Sequence, residues 1–421
     1  MSSAATQTVS TEPQKTEHGL THHKDGEYTL LPVESRAARF RSTNVNDFPT
    51  VTGRELIWKR TPIAQIGDLI AGDLNGSVYD IRYEPVDGLT VDWVNPDDPR
   101  IGSTGLPEDR ASANAWGSFQ KALSIVVSGD KPATVTVTRS AFGNEPRAAH
   151  TIIEAAPFST GTVILRNLGV ARLAENVEII VGESARLTVV SVQEWDDVSV
   201  HAASHFATVG RDAFFKHVVV SLGGAVVRLN PTTHLAGTGA EVEMLGVYFA
   251  DAGQHLEQQV YVYHEAAHGR SRVNYKGALQ GHGAHTVWIG DVLIGADAAG
   301  TDSYEQNRNL VLTDGTRADS EPNLEIETGD ILGAGHASAT GRFDDEQLFY
   351  LESRGITEEE ARRLVVRGFL IEVIQRINVP ELEERLQHAI EAELAGERFD
   401  AADLPAADRS AAEVPAAEVS A

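Results

Sequence analysis

Cysteine is absent from all 421 residues. Without it the chain holds no disulfide, no thiolate metal ligand and no cysteine nucleophile, although the absence does not fix a compartment. Positive charge is scarce as well: 35 Lys and Arg stand against 61 Asp and Glu, a formal net charge of −26. A surface of that sign repels phosphate backbones, so nucleic acid is not the expected partner. Nowhere does an apolar run reach bilayer length, and the opening residues MSSAATQTVSTEPQKTEHGLTHHKDGEY lack a basic stretch followed by an apolar one. The expectation is a soluble cytoplasmic protein with no membrane partner. Also missing are a G-x-S-x-G nucleophile turn, a Walker A sequence, and a G-x-G-x-x-G lying between a strand and a helix. Nucleotide hydrolysis, where it is involved, has to come from another chain.

What is present falls into segments. The apolar fraction of 42% is ordinary for a globular protein, and the length suits two or three structural units. Residues 1–45 are rich in Ser, Thr, Glu and His, with too few large apolar side chains to offset the entropy of ordering, and read as a disordered tail. Residues 46–130 read as a small α+β cap: Leu56, Ile57 and Trp58 form an anchor cluster that Pro62 closes, and Ala111–Leu123 reads as a helix with Trp116, Phe119 and Leu123 on one face. Over 131–343 strand-length runs recur, from ATVTVT (133–138) and TVILRN (162–167) through RLTVVSV and QQVYVYH to HTVWIGDVLI, each rich in Val, Ile or Tyr and closed by Gly, Asn or Asp. Runs of this kind without helices between them fit a solenoid of stacked coils; an antiparallel sandwich or barrel is the rival, because no single repeat length stands out.

At 344–395 the period turns helical. Asp344 with Gln347 forms a capping-box pattern, Gly355 suits a C-terminal cap, and Thr357 with Glu360 repeats the box. Ala361, Leu364, Val365, Ile371, Ile374 and Ile377 mark one stripe; after Pro380, which suits a first helical turn, Leu382, Leu386, Ile390 and Leu394 mark another. Two such stripes need a surface, either the strand domain or a partner. Residues 396–421 read as a disordered acidic tail.

Histidine carries most of the chemical signals. HEAAH (264–268) satisfies the H-E-x-x-H zinc-peptidase pattern, but it follows the alternating QVYVY and precedes Gly269. In an extended strand residues four apart lie about 13 Å from one another, too far to share a zinc ion. His201 with His205, and His282 with His285, form further local pairs, for which hydrogen bonding is the ordinary role. His336 is different: Gly335 and Ala337 flank it at the point where strand rhythm ends.

Five stretches, QQVYVYHEAAHGRSRVNYKG (258–277), VWIGDVLI (287–294), TDSYEQNRNLVL (301–312), PNLEI (322–326) and GHASATGRFDDEQLFYLESRGI (335–356), together resemble the SufB/SufD family of iron–sulfur cluster assembly scaffolds. GRELIWKRTPI adds a similar entry segment. The H-A-S-A-T run is closer to the C-S-H-G-A-T of SufD than to the C-E-H-E-A-T of SufB, with Ala334 at the cysteine position and Ala337 at that of the glycine. The resemblance implies a right-handed parallel β-helix core and a noncatalytic subunit of a SufBCD complex. It implies pairing with a SufB-like paralogue near His336, which falls on the family histidine and becomes the metal or cluster ligand of this chain. It further implies that Phe349, Tyr350, Leu351, Arg354, Gly355, Gly368 and Phe369 dock a SufC-like ATPase. No cofactor is then held stably by this chain alone; a transient iron–sulfur cluster forms at the SufB interface, with thiolate supplied by the partner. A β-helix enzyme acting on acidic polysaccharide is the alternative of another class, and it calls for a secretion signal.

Overall fold

The computed structural model describes residues 39–343 and 345–395. Of the tail expected at 1–45, residues 1–38 lie outside the described residues, as do the tail expected at 396–421 and the cap expected at Asp344; within the described remainder Arg41 pairs with Glu108 at 3.0 Å. Eighteen strands run in chain order as β1 (Ile81–Arg82), β2 (Leu89–Val94), β3 (Ala122–Val127), β4 (Ala133–Arg139), β5 (Gly143–Ala155), β6 (Thr160–Gly169), β7 (Ala171–Val181), β8 (Arg186–Trp195) and β9 (Val200–Val209), followed by β10 (Phe214–Ser221), β11 (Val226–Leu235), β12 (Glu241–Ala250), β13 (His255–His264), β14 (Arg270–Leu279), β15 (His285–Ile294), β16 (Thr301–Val311), β17 (Arg317–Ile326) and β18 (Ile331–Arg342). Five helices accompany them: α1 (Ile63–Ala71), α2 (Arg110–Ser118), α3 (Asp345–Glu352), α4 (Glu358–Ile374) and α5 (Pro380–Ala395).

The strands form two nine-stranded sheets, β1-β4-β6-β8-β10-β12-β14-β16-β18 and β17-β15-β13-β11-β9-β7-β5-β3-β2. Pairing is parallel except at the first strand of each sheet, where β1 on β4 and β2 on β3 run antiparallel. Arg186 pairs with Phe214, Phe214 with Glu241, Glu241 with Arg270 and Arg270 with Asp302, so one coil consumes about 30 residues. The architecture is a β-solenoid of about 8 turns with a C-terminal helical region, which excludes the sandwich. The uneven coil length explains why no repeat is visible in the sequence.

Parallel strands here are joined by tight corners. Phe158, Ser184, Asp212, Gly239, His268 and Gly300 all adopt positive φ, between 54° and 72°. Their amides donate in turn to the carbonyls of Glu183, Arg211, Thr238, Ala267, Ala299 and Asp330, each one coil further on. This column of left-handed residues turns the chain without leaving backbone donors unsatisfied.

Both sheets are covered on their outer faces. Val190, Val218, Leu245, Val247 and Phe249 of the even-numbered sheet pack on Val366, Leu370, Val373 and Ile377, and on Leu382, Leu386 and Ile390 of α5. On the odd-numbered sheet, Trp58 and the α1 residues Ile66, Leu69 and Ile70 cover Ala148, Ala174, Ala202 and Val226. Burial on two faces gives near-continuous apolar strands, in place of the alternation of a half-exposed sheet.

Two helix readings change. The helix expected over Ala111–Leu123 ends at Ser118; Leu123 is a buried residue of β3 in the solenoid core. Gly76 lies so close to Ser118 that an added Cβ would sit 1.7 Å from its carbonyl oxygen, and Gln120 N–H donates to Gly76, which draws the chain out of the helix. On the solenoid side lie Val366, Leu370, Val373 and Ile374 of α4 and Ile377 of the short 3-10 turn that follows it. Of the stripe expected from the sequence, Ala361, Ile374 and Ile377 are buried and Val365 packs on the same cluster, while Leu364 is 46% exposed. Thr357 does cap α4, its hydroxyl accepting from the Glu360 amide.

The interior also holds polar groups. Arg139, Glu175 and His201 are fully buried, and Glu175 bonds both of the others. His205 and His217 face each other at 2.9 Å between ring nitrogens. Burial pushes His205 down to about 4 and His217 well below the usual imidazole value. Native rings that resist protonation contribute stability that is complete above the unfolded value of about 6.5 and is lost as pH falls toward 4. Urea midpoints measured from pH 7 to pH 4 are therefore expected to fall, and His217→Gln to flatten that slope; a slope unchanged in the variant would contradict the assignment.

Candidate functional site

The site follows from strand register at the last coil. In β16 burial alternates: Thr301, Ser303, Glu305, Asn307 and Asn309 point inward, and Tyr304 and Arg308 point out. The inward row is wholly polar, whereas the inward rows of earlier coils are mixed or mainly apolar. β18 pairs with β16 so that Ala334 stands on Ser303, His336 on Glu305 and Ser338 on Asn307. Parallel partners lie about 4.8 Å apart on the same face, so His336 is placed above Glu305 by the ladder itself.

β17 and β18 are the final strands of their sheets, with no further coil beyond them. His336 is consequently 43% exposed by its side chain, whereas Glu305 beneath it is 1% exposed. The His336 Nδ1 to Glu305 Oε1 separation is 3.8 Å, longer than a hydrogen bond. Neither Glu305 oxygen has a hydrogen-bond partner of normal geometry. Burial, helped by the negative charge of Asp291 and only partly offset by the Asn323 amide, pushes the Glu305 carboxyl up to about 8. Gly290 makes the space: a Cβ there would lie 2.5 Å from Glu305 Oε2 and 2.3 Å from the Trp288 ring. Leu332, Tyr304 and Ile326 expose apolar side chains on the last three strands, β18, β16 and β17. Ala334 packs on the solenoid core and brings no donor.

The other residues singled out in the sequence lie on the helices. Phe349 and Tyr350 of α3 are 73% and 56% exposed, and the Arg354 guanidinium lies 5.0 Å from the Tyr350 ring centre. Leu351 is half-buried; Gly355, at φ +86°, ends the α3 turn with its amide on the Glu352 carbonyl. Gly368 is exposed, while Phe369 packs toward the solenoid, its carbonyl accepting from Lys276 Nζ at 3.0 Å.

HEAAH is not helical. His264 closes β13, faces inward and bonds the Ser271 hydroxyl at 2.9 Å, which in turn meets Ser303 at 2.7 Å. Burial lowers its imidazole to about 4. His268 sits at φ +61° in the corner column, and Glu265 pairs with His234. The two imidazoles therefore belong to a strand and to a turn, and the zinc-peptidase geometry does not form. The rings of the remaining pairs bond elsewhere: His201 to Glu175 and Gln193, His205 to His217, and His285 to His255 and Asp319. Sequence reasoning missed Glu305. Its signal was present in the alternation of TDSYEQNRN, which keeps polar residues on the inward positions of a strand.

The model of the SUF system FeS cluster assembly SufBD core domain matches residues 138–369, more than half of the chain. The chain belongs to the SufBD family. An iron–sulfur cluster assembly SufBD family protein of Mycobacterium leprae (strain TN) is 47% identical over 379 residues, covering 87% of this chain and 96% of its own length. One of Mycobacterium tuberculosis (strain ATCC 25618 / H37Rv) is 48% identical over 374 residues, 86% of this chain and 94% of its own length. A second SufBD family protein of M. leprae is 30% identical over 220 residues, which is 52% of this chain and 25% of that longer protein. The SufBD match runs from the end of β4 into α4, so it includes both His336 and α3. Membership places the chain in iron–sulfur cluster assembly, and polysaccharide chemistry is set aside. Among the described residues no helix is long and apolar enough to cross a membrane.

Proposed function

We propose that this chain is the SufD-like scaffold subunit of a SufBCD complex, pairing with a SufB-like paralogue at its open solenoid end and docking a SufC-like ATPase on its C-terminal helices. The observation that carries the reading is the last coil: two strand edges without a further coil, exposed apolar side chains on the last three strands, and an exposed His336 over a buried carboxylate. Exposed parallel edges with apolar neighbours are surfaces that a second solenoid can continue. The occurrence of two SufBD family proteins in M. leprae supports a paralogous pair. With Ala334 in place of a thiol, this subunit contributes imidazole, and its partner contributes sulfur ligands to the cluster under assembly, which is cargo and not a resident cofactor. The helices lie across the even-numbered sheet, where Lys276 of β14 holds the Phe369 carbonyl and the Glu372 carboxylate. A movement of α4 is thereby transmitted to the coils below His336. Localisation in the cytoplasm goes with this reading.

Co-expression with SufB-like and SufC-like chains from the same genome is the test. Capture of a tagged copy is expected to bring down both, and Phe349→Ser with Tyr350→Ser to release the ATPase at least about tenfold while retaining the SufB-like chain. A tagged chain that emerges alone overturns the assignment.

A further inference from the structure

We propose that Glu305 and His336 together form a two-donor docking site for a divalent first-row cation, with Glu305 as the inner ligand and His336 as the outer one. The proposal rests on the cluster-assembly reading for its biological cargo, ferrous iron, but its geometry stands by itself. A carboxyl group 1% exposed whose oxygens have no hydrogen-bond partner of normal geometry is rare in a folded interior, because leaving buried polar atoms unsatisfied is costly. In this chain the cost is built in. Register fixes Glu305 beneath His336, and Gly290 clears the volume its carboxylate occupies, beside the buried Trp288 ring.

Three alternatives for Glu305 fail. It is not half of a buried ion pair: the buried Arg139 and Arg228 are engaged by Glu175 and by Asp109 with Glu257. It is not tied to its inward neighbours, since Asn307 and Asn309 bond each other and the Tyr248 hydroxyl. Nor does it bond His336 directly, at 3.8 Å. That gap is wider than a hydrogen bond and close to what two donors about 2.1 Å from one ion require, so a small rotation of the imidazole closes it. One nitrogen and one carboxylate suit Fe(II), Co(II), Mn(II) or Zn(II) in preference to a soft ion. Among the described residues no three His, Asp or Glu gather into a complete site. Two donors from one chain at an open end leave the other positions to solvent or to a partner's ligands, a suitable state for an ion that is to be passed on.

The probe is Co(II), titrated into the full-length metal-free chain without partners and followed by visible absorption and by hyperfine-shifted histidine proton resonances. The expected result is one Co(II) that shifts the His336 ring signals, with affinity reduced at least tenfold in Glu305→Gln and the shifted signals lost in His336→Ala. Glu305→Gln keeps the volume and removes the oxygen that can ionise on metal binding; its circular dichroism and urea midpoint check that it folds. The wild-type spectrum is decisive without any variant: a chain whose His336 signals do not move on Co(II) addition overturns the proposal, as does a folded Glu305→Gln that binds like wild type. Co(II) bound at His336 in a chain that captures neither partner leaves this site standing and removes the SufBCD reading. Capture of both partners with Co(II) binding indifferent to Glu305 does the reverse.

Discussion

Replacing His336 by alanine is expected to cut cluster formation on the three-subunit complex by at least about tenfold, the loss seen even for groups one step removed from a metal, while leaving partner capture intact. His336 is the imidazole on the open coil, more than two-fifths exposed, with small neighbours at Gly335 and Ala337. Its removal creates no cavity, because nothing packs over it. β18, which carries His336, is held by backbone bonds to β16 that do not involve the ring. Reconstitution with iron and a sulfur donor, read by absorption of the assembled cluster, gives the number. Wild-type levels of cluster on the variant complex would remove His336 from the mechanism.

Arg139→Met is expected to destabilise the chain by about 3–5 kcal/mol, the penalty for leaving one partner of a buried ion pair uncompensated. Arg139 holds Glu175 through two hydrogen bonds of 2.6 and 2.9 Å and reaches Asn167 at 2.8 Å, with no part of either charged side chain exposed. Burial alone would raise Glu175, but Arg139, helped by His201, holds it well below the usual carboxylate range. Methionine fills much of the volume and removes the charge, so the cost falls on Glu175. Urea denaturation should show a lower midpoint with unchanged slope, and adding Glu175→Gln should recover part of the loss. A single variant as stable as wild type would show that the pair does not carry this load.

Much of the fold was legible, for reasons that differ along the chain. Strand identity was plain because two-sided burial fills each strand with Val, Ile and Tyr, and Thr357 and Pro380 announced α4 and α5 through cap chemistry. Coil length was hidden because solenoid corners absorb insertions without disturbing the stack, as the changing spacing between Arg186, Phe214, Glu241, Arg270 and Asp302 shows. Helix faces were less legible: Leu364 and Val366 are equally apolar in the sequence, and only the position of the even-numbered sheet decides which one is buried. At the site, His336 stood out by its neighbours, but Glu305 is separated from it by 31 residues of sequence and one rung of ladder. Register is a tertiary property; without the solenoid no local pattern brings those two side chains together.

The unfinished last coil has one more consequence. β18 reads ILGAGHASATGR, a strand whose one formally charged residue, Arg342, comes at its final position. Natural sheets protect such borders with lysine, proline or a bulge; β18 has neither lysine nor proline, and its one irregularity, the register shift at Leu332, leaves the run from Gly333 to Arg342 regular. An uncovered copy therefore offers unpaired backbone donors and acceptors to another strand, including one from a second copy of this chain. Under the proposed pairing, supply of the closing partner becomes a matter of proteostasis as well as of chemistry: an excess of this subunit is expected to pair with itself or be degraded before it dilutes the complex with incomplete assemblies.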